Sequence, residues 1–128
     1  MMKRLAALCL SLVLILPVPA SAHYVMALAN LARGIGMAEF RARDFDNLAD
    51  AQTVYVTRVS RLAGIKRQGA MLDRAIASSG RALNFLRAVV AQNRNAMRAL
   101  RIHGEALEDV IFLTTTNDGS AMLYVDDR

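Results

Sequence analysis

The chain has 128 residues, 16 Lys plus Arg against 11 Asp plus Glu for a formal charge of +5, 55% hydrophobic residues and a single cysteine. That length suits one domain, and one cysteine excludes a disulfide framework, a dithiol redox motif and a thiolate metal cluster. The positive mean hydropathy is inflated by the first segment, so it implies nothing about a membrane.

Residues 1–22 carry the three zones of a cleavable signal peptide. Lys3 and Arg4 give a positive start, Leu5 to Leu16 is an uncharged, largely apolar run, and Ala20-Ser21-Ala22 supplies small residues for cleavage. A membrane-spanning helix needs about 20 predominantly apolar residues, and Pro17 and Pro19 stop this run short. Cys9 follows Leu8 inside the apolar run, too early for lipid attachment, and Lys3-Arg4 is not a twin-arginine pair. The expectation is export by the general route to a periplasmic or secreted location. The mature chain would run from His23 to Arg128, without cysteine and without a later membrane span.

Residues 23–50 form an N-terminal segment of low pattern. Gly34-Ile35-Gly36 interrupts an apolar run, and Arg41 to Asn47 is polar enough for a linker or a short helix. The patterned domain is expected over residues 51–128. Thr53-Val54-Tyr55-Val56-Thr57 concentrates β-branched and aromatic residues and predicts a strand, followed by a turn from Gly64 to Gly69.

Leu72, Ile76, Leu83, Leu86, Val90, Met97 and Leu100 recur in steps of three, four and seven, the spacing of one helical face. Ser79 and Asn93 interrupt this seam 14 residues apart, and both are good N-caps but poor helix formers, while Gly80 disfavours a helix interior. The pattern therefore predicts short helices near 69–78, 80–92 and 94–102, stopped by Gly104. Asp109 to Thr116 and Ser120 to Val125 are strand-like runs around Asn117-Asp118-Gly119, which predicts a hairpin. Two strands alone are marginal in water, so the earlier strand should join them beneath the helices. The predicted fold class is α+β, ordered as one strand, three short helices and a C-terminal hairpin, with a three-stranded sheet.

Charge is unevenly placed. From Arg58 to Arg101 ten basic residues face the single acid Asp73, whereas Glu105, Glu108, Asp109, Asp118, Asp126 and Asp127 crowd the tail against Arg128 alone. Arg87, Arg94, Arg98 and Arg101 all fall off the apolar seam, so they are expected to be exposed as a basic surface for an anionic protein, peptide or envelope component. The alternative is that these arginines neutralise the acidic tail. Nucleic acid is not expected, because stacking aromatics are not interleaved with the basic residues and export removes the chain from it.

Groups suited to catalysis are few. No nucleophile elbow, zinc-protease helix or phosphate-binding loop is present, Gly34-Ile35-Gly36 is only a fragment of a dinucleotide fingerprint, and Asp44-x-Asp46 lacks the later ligands of a calcium loop. Glu105, Glu108 and Asp109 are near in sequence but have no predicted cleft to perturb them. No cofactor is expected. If cleavage exposes His23, its amine and imidazole form a two-nitrogen chelate that would suit copper, with His103 as a third ligand. His103 otherwise suits a helix C-terminus. The favoured reading is a non-enzymatic binding or accessory module, with a copper-binding protein and a small hydrolase as alternatives.

Overall fold

The computed structural model of the protein describes residues 26–37 and 42–128. In chain order these form α1 (Leu28–Met37), α2 (Ala42–Ala49), β1 (Thr53–Arg58), α3 (Ile65–Ser78), α4 (Gly80–Ala91), α5 (Arg94–His103), β2 (Val110–Thr115) and β3 (Ser120–Val125). Short 3-10 turns at Val59–Arg61 and Leu107–Asp109 precede α3 and β2. Across the described residues the fold is α+β, with five helices and a small mixed sheet. The expected signal peptide and His23 lie outside the described residues.

The last strand of the chain occupies the middle of the sheet, in the order β1-β3-β2. β1 pairs with β3 in parallel, from Thr53 opposite Ser120 to Arg58 opposite Val125. β2 pairs with β3 antiparallel, with Leu113 opposite Leu123, and its register slips between Val110 and Phe112. An antiparallel pair can be joined by a tight turn, here through Gly119 at φ 89°, whereas a parallel pair needs a long crossover. Between β1 and β3 that crossover contains α3, α4, α5 and β2.

Every residue of β3 is buried. On one face Val54 and Val56 stand beside Ala121, Leu123 and Val125 and then Leu113, joining Leu83, Leu86, Val90, Ala96 and Leu100 in the apolar core. α5 packs along β1 and α4 along β2. The opposite face carries Phe112 and Tyr124 in edge-to-face contact at 6.1 Å, and the Tyr124 hydroxyl accepts from Met26 N at 3.1 Å. Burial pushes the Tyr124 hydroxyl above its ordinary pKa.

The structure corrects the unpatterned reading at Leu28–Met37, which form a helix joined to the core, while Ala42–Ala49 form the short helix that was one of the two expectations for Arg41 to Asn47. Leu28, Leu31, Ala32 and Ile35 bury one stripe of α1, largely against α3, and Leu48 of α2 is also buried. Gly34 belongs to this helix, and not to a break, because α1 comes close to β2 there. A Cβ on Gly34 would stand 2.8 Å from Phe112 Cζ and force the ring to shift.

Two smaller expectations also change. The residues read as a turn from Gly64 to Gly69 are the first turn of α3, with Gly64 as a left-handed N-cap at φ 89°. Ser79 makes no side-chain cap for α4; it is buried, and its Oγ donates to Ile35 O at 3.0 Å, which ties the α3/α4 junction to α1.

Candidate binding surface

α5 is fixed at both ends by local chemistry. Asn93 Oδ1 accepts from Ala96 N at 2.8 Å, and Gly104 closes the helix in the left-handed region at φ 69°. Between the caps Ala96, Ala99 and Leu100 are buried, while Arg94, Arg98 and Arg101 follow steps of four and three residues along the exposed side. Arg101 and His103 in the last turn also complement the negative end of the helix dipole.

The four arginines singled out in the sequence do not act alike. Arg87 is half-buried, and its Nε donates to Val110 O at 2.9 Å beside the register slip of β2. The expectation that Arg87 is exposed is therefore corrected: its guanidinium supports the start of β2. Arg94, Arg98 and Arg101 are exposed, and among the described residues none of them has an ion-pair or hydrogen-bond partner through its side chain.

The acidic tail finds its partners elsewhere. Glu105 pairs with Arg58, whose Nη2 also donates to His103 O at 2.8 Å. The hydrogen bond and charge of Glu105 hold the Arg58 guanidinium still more firmly protonated. Arg128 reaches both Asp73 on α3 and Asp126, the latter at 2.8 Å, and its protonated form is favoured mainly by the bond to Asp126. Burial tends to raise the Asp127 carboxyl, but donation from Ser60 Oγ and Ser60 N outweighs it and leaves the carboxyl below its ordinary range. Within the tail Glu105 and Asp126 are thus ion-paired to Arg58 and Arg128, and Asp127 is hydrogen-bonded by Ser60, without use of the α5 arginines.

Of the two candidate copper ligands only His103 lies among the described residues. His103 Nδ1 lies 2.9 Å from Ala99 O at the end of α5. No group of three or more His, Cys, Asp or Glu is placed to hold a metal ion among the described residues. Asp44 instead accepts from Thr115 Oγ1 at 2.7 Å, tying α2 to β2. Among the described residues, the groove at the start of α3, between Leu62 and Gln68, is lined by no carboxylate, and the polar groove beside Thr115 by that of Asp44 alone. None of the described helices is long and apolar enough to cross a membrane.

The seam reading missed Phe85, which lies next to Leu86 but off the apolar frame and stays 59% exposed. The available signal was an aromatic residue at a position where the helical period assigns solvent. What emerges is a small α+β domain with one strongly cationic helical side. No protein-family model matches the chain, and no curated protein or solved structure is significantly similar to it.

Proposed function

We propose that the chain is a non-enzymatic binding or accessory module of an envelope compartment, holding an anionic protein, peptide or envelope component through Arg94, Arg98 and Arg101. The supporting observation is that these cations are exposed and unpaired among the described residues, while Glu105, Asp126 and Asp127 are engaged by other groups. An unpaired cation on a regular helix loses little on meeting an anion, because no internal pair has to break. Export is supported by the charge, apolar run and small residues of positions 1–22.

Poly-glutamate and vesicles containing phosphatidylglycerol serve as protein-like and envelope-like probes. Affinity for either should fall steeply between 0.1 and 1 M salt, as the Debye length shrinks from about 10 to about 3 Å. The double reversal Arg94→Glu/Arg98→Glu should weaken binding yet shift stability by no more than about 1 kcal/mol, the range for exposed ion pairs. Unfolding of the double variant would assign these arginines a structural role. Binding that ignores both salt and reversal would move the function to another surface. Intact-mass measurement on protein from the envelope fraction checks export, with His23 as the expected first residue.

A further inference from the structure

Ile102, in the last turn of α5, is 73% exposed, more than any other large apolar side chain among the described residues. At about 100° of turn per residue, Arg94, Arg98 and Arg101 lie within about 40° of the direction opposite the buried Ala96. Ile102 lies about 40° round from Arg98 on the same reckoning. All four side chains therefore share the outer crest of the helix, along about 12 Å of its axis. α5 contains no acidic residue, and the nearby Glu105 is already paired with Arg58. The helix is also tied down at both ends of β1. Asn95 Nδ2 donates to Ala51 O at 3.1 Å, and Arg58 Nη2 donates to His103 O at 2.8 Å, so the crest is presented by a fixed element.

Charge alone has no use for Ile102, because a purely anionic partner would leave it in water. An apolar side chain among arginines instead matches a surface whose negative charge overlies hydrocarbon. Guanidinium groups there meet the phosphates while the apolar side chain enters the boundary between headgroups and acyl chains. The outer crest of a helix is convex, and fluid lipid conforms to it, with headgroups gathering at each arginine. An acidic peptide would need carboxylates in register with Arg94, Arg98 and Arg101 and an apolar side chain level with Ile102. None of the described helices is long and apolar enough to span, so the contact is with the surface of the bilayer.

We propose that α5 docks the protein on an anionic phospholipid surface, with Ile102 inserted at the headgroup boundary and Arg94, Arg98 and Arg101 against the phosphates. The inference rests on the reading of these arginines as an anion-binding surface and names the partner that also accounts for Ile102.

The chain contains no tryptophan, so Ile102→Trp places a single fluorescent reporter at the insertion point, and Phe85→Trp provides a control at an exposed residue of α4. Protein purified from the envelope fraction is mixed with vesicles of phosphatidylcholine alone, or of phosphatidylcholine and phosphatidylglycerol in equal parts. Emission of Ile102→Trp should move to the blue, and be quenched by brominated acyl chains, only where phosphatidylglycerol is present. Emission of Phe85→Trp should not change. Ile102→Ser should weaken partitioning onto these vesicles at least about fivefold, yet leave affinity for poly-glutamate within about twofold and the urea midpoint unmoved. Arg98→Gln should weaken both, the vesicle partitioning by about fivefold for the one charge removed. Poly-glutamate binding that depends on Arg94 and Arg98, without vesicle binding, would overturn the lipid inference and leave the α5 charges standing as a site for an acidic protein. Vesicle binding with the Ile102→Trp emission unmoved would overturn it too. Binding to neither probe would remove both readings.

Discussion

Replacing Asn93 separates a local cap from a tertiary tie. Its Oδ1 accepts from Ala96 N at 2.8 Å, and its Nδ2 donates to Leu48 O at 2.9 Å, the carbonyl of a residue that is 1% exposed. Loss of an N-cap typically costs about 1 kcal/mol. Leu48 O keeps a second donor in Ala51 N at 3.1 Å, so loss of the Asn93 bond costs only the net worth of one hydrogen bond, about 0.5 to 1.5 kcal/mol. Asn93→Ala should therefore destabilise by about 1.5 to 2.5 kcal/mol. Asn93→Ser keeps a competent cap but is too short to replace the donor to α2, so its cost should be nearer about 1 kcal/mol. In urea unfolding, with m in the small-protein range, the alanine midpoint should fall by about 1 to 2 M and the serine midpoint by roughly half as much. Amide exchange adds a local readout, because Ala96 should lose protection in the alanine variant more than in the serine variant. Serine indistinguishable from the unmodified protein would show that the tie to α2 contributes nothing. Serine as damaging as alanine would show the same of the cap.

Three further perturbations test other parts of the fold. Gly119→Val forces a β-branched residue to φ 89° between β2 and β3 and should lower stability by at least about 1 kcal/mol, seen as a lower urea midpoint. Leu123→Ala opens a hole in the central strand at a residue with 0% exposure and should cost about 2 to 5 kcal/mol by the same measurement. Asp127 has a lowered folded-state pKa, so its stabilising contribution is complete above the unfolded value of about 4 and is lost as pH falls through the lower folded value. Ser60→Ala should flatten the fall in urea midpoint between pH 5 and acid, and an unchanged acid limb would remove this pair from the account.

The sequence identified the helical core well because it repeats locally. Leu72, Leu83, Leu86, Val90 and Leu100, all on the seam, are at most 2% exposed. Asn93 and Gly104 likewise carry their cap roles in their own chemistry, an acceptor side chain and tolerance of positive φ. The parallel pairing of β1 with β3 had no local marker, since no turn joins them and the hydrophobic pattern of each strand is satisfied by several neighbours. α1 was hidden by Gly34 and Gly36. Its Leu28, Leu31, Ala32 and Ile35 do follow the helical period, but the reason for glycine at 34 is Phe112, far along the chain.

The candidate surface was legible only in part. Exposure of Arg94, Arg98 and Arg101 follows from one short helix with one buried stripe. Arg87 obeys the same period but lies beside Val110 O, a carbonyl placed by β2, and period alone does not locate an acceptor on another element. The separation of the acidic tail from α5 is also a tertiary fact. It depends on Arg58 at the end of β1 meeting Glu105, and on Arg128 returning to Asp73.

The central claim is that the α5 arginines are available charges while Arg58, Arg87 and Arg128 are internal supports. Arginine Nε–H resonances followed by NMR during titration with poly-glutamate at low salt test it most directly. Arg94, Arg98 and Arg101 should shift and broaden progressively, and the signals of Arg58, Arg87 and Arg128 should stay in place because their guanidinium groups are already bonded within the fold. Shifts led by Arg58, Arg87 or Arg128, with the α5 signals unmoved, would contradict the assignment of the binding surface.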